Sequence, residues 1–92
     1  MKRDMELVRL ILLNIEGTTD VDLASYSDEQ INYHQKLLYD RGFINGVAYP
    51  VLSRWEIIDP ELTWEGHDFL DDARDDRVWQ EAMRQIGKNV GS

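Results

Sequence analysis

Apolar residues recur at helical spacing in three stretches of the chain and at strand-like density in one. Between Asp4 and Glu16, the residues Leu7, Val8, Ile11, Leu12 and Ile15 share one side of a 3.6-residue repeat. Asp4 and Glu6 put negative charge where a helix start favours it. Gly17 supplies the stop, and Thr18, Thr19 and Asp20 form a loop. Ser27 followed three residues later by Gln30 is a capping-box pair with Gly42 as its terminator, so the spacing predicts a second helix over Asp28 to Arg41. Its inner face holds Ile31, His34, Leu37 and Leu38, and its outer face Asn32, Gln35, Lys36 and Tyr39. Val21 to Tyr26, between the two helices, fits either a short strand or a helical turn.

After Gly42 the pattern becomes β-like: Phe43, Ile44, Val47, Tyr49 and Val51, then Trp55, Ile57 and Ile58, with Pro50 and Ser53 between the runs. Two antiparallel strands joined by a loop are expected, with Asn45-Gly46 as an alternative tight turn in a different register. Pro60 marks an edge or a strand end. Thr63 caps a third helix with Gly66, Phe69, Leu70 and Ala73 on one face and Asp68, Asp71, Asp72 and Asp75 on the other. Val78, Trp79, Ala82, Met83 and Ile86 continue at helical spacing but about 150° out of phase with that face, so a break is expected near Asp75 to Arg77. Gly87 ends the last helix and leaves residues 88–92 as a short polar tail. The element order predicts an α+β, mostly α fold of winged-helix layout: a three-helix core, a two-stranded β-hairpin wing and an extra C-terminal helix. All of it fits in one domain over residues 1–87.

Composition narrows the chemistry. Ninety-two residues, 42% of them hydrophobic, suffice for one modest core. The absence of cysteine excludes disulfides, thiolate metal sites and cysteine nucleophiles. No apolar run approaches the ~20 residues of a membrane span, and the start Met-Lys-Arg-Asp lacks the apolar stretch of a signal peptide. A cytoplasmic protein is expected. Ten Lys and Arg against 18 Asp and Glu give a formal charge of −8, which opposes bulk attraction to nucleic acid. Most of that charge is local. Residues 59–81 hold nine acids (Asp59, Glu61, Glu65, Asp68, Asp71, Asp72, Asp75, Asp76, Glu81) against Arg74 and Arg77, a local −7. Residues 29–54 carry Glu29 and Asp40 against Lys36, Arg41 and Arg54, a local +1.

Two blocks carry a family resemblance. MKRDMELVRLILLNIE at the start and LTWEGHDFLDDARDDRVW at residues 62–79 resemble the signature blocks of an uncharacterised family of bacteria and their prophages, known as a domain of unknown function. The resemblance implies a bacterial or phage source and no established activity. Neither block is a catalytic or ligand motif. Members of the family often continue past the position of Gly91 with a further basic, apolar segment.

Three surfaces are candidates for function. On the outer face of the second helix, Asn32 and Gln35 can pair two-pronged with an adenine edge, Lys36 reaches guanine or phosphate, and Tyr39 donates to phosphate. Lys2, Arg3 and Arg54 add phosphate contacts. In a helix-turn-helix relative this helix lies in the major groove of double-stranded DNA, and the expected role is DNA-linked regulation. The competing reading is a solvated face.

The stripe Asp68, Asp71, Asp72 and Asp75 is a solvated face or a docking surface for a basic protein, including a phage inhibitor that mimics a phosphate rail. A regular helix spreads these oxygens along its length, so no metal site is expected. His67-Asp68 lacks the further ligands of a metal phosphohydrolase, and His34, at the centre of a core face, reads as a packed histidine. No nucleophile triad and no glycine-rich loop after a strand is present, so neither an enzyme nor a cofactor is expected.

Leu10 and Leu13 lie off the main face of the first helix, and Trp79, Met83 and Ile86 form a stripe on the last. These two surfaces are expected to meet, within the chain or across a two-fold homodimer, with the dimer preferred. Trp64 falls on the acidic side of its helix, where it covers the hairpin or is exposed.

Overall fold

The computed structural model describes residues 1–91, with side chains for 1–75 and 77–85. Its elements run α1 (Met5–Glu16), α2 (Asp28–Arg41), β1 (Ile44–Val51), β2 (Arg54–Leu62), α3 (Trp64–Ala73) and α4 (Asp76–Gly91). This is the α+β, mostly α architecture with one two-stranded antiparallel hairpin, a layout compatible with a winged helix.

Each boundary has a chemical cause. Asp4 sits just outside α1, where its carboxylate accepts from the backbone N–H groups of Glu6 and Leu7 at 3.0 and 3.2 Å. Gly17, at φ +79°, ends the helix in the left-handed region. α2 opens on the full capping box: the Gln30 N–H donates to Ser27 Oγ at 3.0 Å, and the Ser27 N–H donates to Gln30 Oε1 at 2.9 Å. Gly42, at φ +85°, closes it. The connector over Val21 to Tyr26 is a turn, closed by the Tyr26 N–H donating to the Leu23 carbonyl at 3.1 Å.

The hairpin turns at Leu52-Ser53, so Asn45-Gly46 lies inside β1. Asn45 pairs with Glu61 and Val47 with Ile58, which leaves Gly46 opposite both Asp59 and Pro60, a β-bulge. Gly46 is at φ +146°, and a Cβ there would meet the Ile58 carbonyl oxygen at 2.8 Å. The bulge accommodates Pro60 within β2.

α3 starts on Thr63, whose hydroxyl accepts from the Gly66 N–H at 3.1 Å and donates to the Gly42 carbonyl at 2.5 Å. The expected break falls after Ala73. Arg9 of α1 is buried there and donates from Nε to the Ala73 carbonyl at 2.8 Å, satisfying an oxygen left open at the end of α3. Asp75 then caps α4 by accepting from the N–H groups of Arg77 and Val78 at 3.0 and 3.2 Å. The helix runs through Gly87 to Gly91, past the stop expected from sequence. A glycine inside a helix costs about 1 kcal/mol relative to alanine, which weakens the helix without ending it. Ser92, the end of the expected tail, lies outside the described residues.

The core gathers Leu7, Ile11 and Leu12 from α1, Leu38 from α2, Ile44 and Ile57 from the hairpin and Leu70 from α3. Burying each of these side chains stabilises the fold by about 1.5–3 kcal/mol. His34 is also buried: Nε2 accepts from the Asp4 N–H at 2.8 Å, and Nδ1 lies 2.7 Å from the Gln30 carbonyl oxygen. An acceptor at Nε2 assigns the ring proton to Nδ1, so the imidazole is satisfied as the neutral Nδ1–H tautomer.

Candidate functional site

α2 packs between α1 and the hairpin, which decides the fate of its outer face. Residues 30–39 are all half-buried or buried, and the exposed charged side chains of α2 are Asp28, Glu29, Asp40 and Arg41. The hairpin turns one face toward α2, with Ala48 paired with Ile57 and Pro50 with Trp55. Between the helix and the hairpin tip lies a groove of about 640 Å³ lined by Met1, Glu29, Asn32, Tyr33, Lys36, Ser53, Arg54 and Trp55.

Of the seven residues expected to contact DNA, this groove brings together Asn32, Lys36 and Arg54. Asn32 Oδ1 is buried there without a hydrogen-bond partner among the described residues. Lys36 bonds both oxygens of Asp40, at 2.6 and 2.8 Å, and sits 5.4 Å from the centre of the Trp55 ring. Arg54 pairs with Glu56 at 3.3 Å. Gln35 and Tyr39 do not line the groove, and Tyr39 packs against the core instead. Lys2 and Arg3 are exposed. Arg3 lines a second groove of about 520 Å³ with Met5, Val8, Leu37, Leu38, Asp40, Arg41, Phe43 and Phe69.

The acidic face of α3 is open. Glu65, Asp68, Asp71 and Asp72 are exposed, and Trp64 at the head of the helix is 79% exposed. Asp71 bonds Arg74 at 3.0 Å, while Glu65, Asp68 and Asp72 form no salt bridge among the described residues. Asp75, expected in the same stripe, serves as the α4 cap. Arg74 grips Glu16 two-pronged at 2.8 and 2.7 Å, tying the end of α1 to the α3–α4 junction. These bonds, with one from the Thr18 hydroxyl, hold the Glu16 carboxyl down to about 2, and push Arg74 up. Burial, followed by the negative charges of Asp4 and Glu6, raises the Tyr26 phenol above its ordinary value.

The apolar stripes read as uncovered are largely covered within the single chain. Leu13 is buried in the core and Leu10 half-buried. Trp79 is buried as well: its indole N–H donates to Glu6, its ring meets Phe69 edge-on at 6.5 Å, and the Arg9 guanidinium lies 5.8 Å from its centre. Met83 is half-buried. The Ile86 side chain lies outside the described residues.

His67 is exposed and His34 serves the core, and no group of His, Asp and Glu able to hold a metal ion occurs among the described residues. Among those residues, no helix is long and apolar enough to cross a membrane. The pairing of Lys36 with Asp40 and of Arg54 with Glu56 was not anticipated from sequence. The i,i+4 spacing of Lys36 and Asp40 was the available signal for the first.

Comparison with known proteins places the chain. A family model described as "Hypothetical protein (DUF2513)" matches residues 2–92. The chain belongs to the DUF2513 family. A relative in sequence, an uncharacterized protein of Haemophilus influenzae, is 36% identical over 93 residues, covering 94% of this chain and 79% of the relative. No solved structure gives a significant match.

Proposed function

We propose that this DUF2513 protein is a non-catalytic binding module that docks a basic protein segment on the acidic face of α3. The carrying observation is Trp64, 79% exposed at the head of a helix whose Glu65, Asp68 and Asp72 face solvent without cationic partners among the described residues. An exposed indole beside free carboxylates is the composition of an interface hot spot. The ring takes a lysine or arginine by cation–π contact, and the carboxylates fix neighbouring cations. Charge complementarity of this kind fits an inhibitor or adaptor role in a bacterium or prophage.

DNA-linked regulation is the second reading, favoured by the gathering of Asn32, Lys36 and Arg54 in one groove. It is weakened by the two cations being spent on Asp40 and Glu56, and by the acids among the exposed side chains of α2. Fluorescence anisotropy separates the two readings, using a labelled lysine- and arginine-rich peptide and a labelled mixed-sequence duplex at low and moderate salt. The expected result is salt-sensitive peptide binding that Trp64→Ala weakens several-fold and Asp68→Lys with Asp72→Lys abolishes. Peptide binding indifferent to Trp64 and the charge reversals would sink the α3 reading. Duplex binding lost in Asn32→Ala and Lys36→Ala would establish the other.

A further inference from the structure

The groove beside Arg3 combines side chains from α1, the end of α2 and α3. Its walls are apolar: Met5 and Val8 of α1, Leu37 and Leu38 of α2, Phe43 just after α2, and Phe69 of α3. Phe43 and Phe69 stack with their ring centres 5.2 Å apart. Met5, Leu37, Phe43 and Phe69 are only half-buried, so the groove leaves apolar surface in water. Three charged side chains complete the lining. Asp40 is taken by Lys36, which bonds both its oxygens. Arg3 and Arg41 are exposed and form no salt bridge among the described residues. The Arg41 guanidinium lies 5.1 Å from the centre of the Phe43 ring, a contact that holds the cation at the aromatic wall without neutralising it. The groove thus joins apolar walls to two arginines that no carboxylate of the described chain satisfies. Glu65 and Asp72, one turn to either side of Phe69 on α3, are exposed and do not line it.

We propose that this groove binds a free amphiphilic monoanion, a medium-chain fatty-acid carboxylate, with its alkyl chain against the apolar walls and its carboxylate on Arg41 and Arg3. Each part of the lining selects one part of that ligand. A volume of about 520 Å³ falls within the range of small-molecule sites and suits one such chain. The apolar walls gain by covering themselves with an alkyl body, which no polar ligand supplies. A guanidinium matches the two oxygens of a carboxylate, and an arginine without an internal acid has nothing to give up when the ligand arrives. The acids beside Phe69 limit the ligand to a single charge. A polyanion laid across the groove would meet Glu65 and Asp72, whereas one carboxylate seated at the arginines avoids them. The ligand touches none of Trp64, Glu65, Asp68 and Asp72, so the inference stands or falls independently of the peptide-binding reading.

Isothermal titration calorimetry of the full chain with hexanoate, octanoate and decanoate, each below its micellar concentration and near neutral pH, tests it. One-to-one binding is expected, tightening roughly tenfold for each two carbons added, as burial of two further CH₂ groups requires. Decanoate is also expected to raise Tm, because it binds the folded chain alone. Arg41→Gln and Arg3→Gln are each expected to weaken decanoate about tenfold by removing a charge-assisted hydrogen bond. Both positions are exposed, and thermal melting of the unliganded variants confirms that the fold persists. Trp64→Ala, outside the groove, is expected to leave decanoate binding unchanged. Decyltrimethylammonium, with the same chain and a cationic head, is expected not to compete, although a chain of −8 would prefer it if attraction were merely non-specific. Absence of decanoate binding overturns the inference. So does binding indifferent to both arginine changes, uptake of many decanoates per chain, a Tm that falls with decanoate, or equal competition by the cationic amphiphile.

Discussion

Replacing Gly66 by alanine is expected to destabilise the protein, although helix propensity alone predicts the opposite. Gly66 lies in the first turn of α3, and alanine in a helix is favoured over glycine by up to about 1 kcal/mol. An ideal Cβ on Gly66, however, falls 2.0 Å from the carbonyl oxygen of Phe43 and 3.0 Å from its carbonyl carbon. These are backbone atoms that cannot rotate aside, so α3 must back away by more than an ångström. That movement pulls on the Thr63 N–H, which donates to the same Phe43 oxygen at 3.0 Å, and on the Thr63 hydroxyl, which donates to Gly42 at 2.5 Å. Overpacking costs about 1–3 kcal/mol and a weakened hydrogen bond about 1 kcal/mol more, which leaves a net loss of about 1–3 kcal/mol after the propensity gain. For a domain of this size the loss lowers Tm by roughly 5–20 °C. Urea titration followed by circular dichroism measures it directly. A Gly66→Ala protein as stable as wild type would show that α3 does not approach the α2–β1 junction so closely, and the docking of α3 described above would be wrong.

Two further outcomes rest on the contacts that tie α1 to α4 and to the α3–α4 junction. Glu16 is held down to about 2 by Arg74, so its contribution is fully present above the ordinary glutamate value of 4.5 and is lost as the pH falls from there toward 2. The Tm difference between wild type and Glu16→Gln should be constant near neutral pH and shrink steadily over that acid window, and a difference undiminished between pH 5 and pH 2 would refute the pairing. Trp79→Ala should cost about 3 kcal/mol of α4 docking and raise amide exchange across residues 76–85 ahead of α1, whereas Trp79→Phe should lose only the bond to Glu6, about 1 kcal/mol; uniform exchange across both helices would show that α4 docks by another route.

Much of the fold was legible because it is written in local chemistry. Ser27 with Gln30, Gly42, Thr63 and the phase jump before Val78 each act within a few residues, and each marks an element boundary where it was read. What sequence left open depends on separation along the chain. Glu6 and Arg9 meet Trp79 from the far end of the chain. Neither a charged pair on α1 nor an apolar stripe on α4 announces the other, so the two stripes were expected to meet without a sign that Glu6 and Arg9 would make the contact within the chain. The polar side of α2 likewise looked solvated because helical periodicity separates apolar from polar residues but does not say what covers the polar ones. A hairpin carrying Trp55 folds over it, and Asp40 and Glu56 take up the cations that made the face look receptive. Pro60 read as an edge or a strand end; it lies within β2, an edge strand of the two-stranded sheet, at a bulge that its pairing partner, Gly46, sets. For the site, three of the seven expected DNA contacts converge, and the exposure of Trp64 became decidable only once the hairpin was seen to leave it uncovered.

The bond between His34 and the start of α1 gives the molecule a built-in spectroscopic reporter. A buried imidazole that donates from Nδ1 to the Gln30 carbonyl and accepts at Nε2 from Asp4 has a ring proton shielded from exchange with water. Such a proton should give a resolved downfield line in the proton spectrum, and the nitrogen shifts of the ring should identify a single tautomer. Because the acceptor half of that arrangement exists only while α1 is seated on α2, the line should vanish when the two helices separate, even if each remains helical. One resonance thus distinguishes correct tertiary assembly from mere secondary structure in every variant described above.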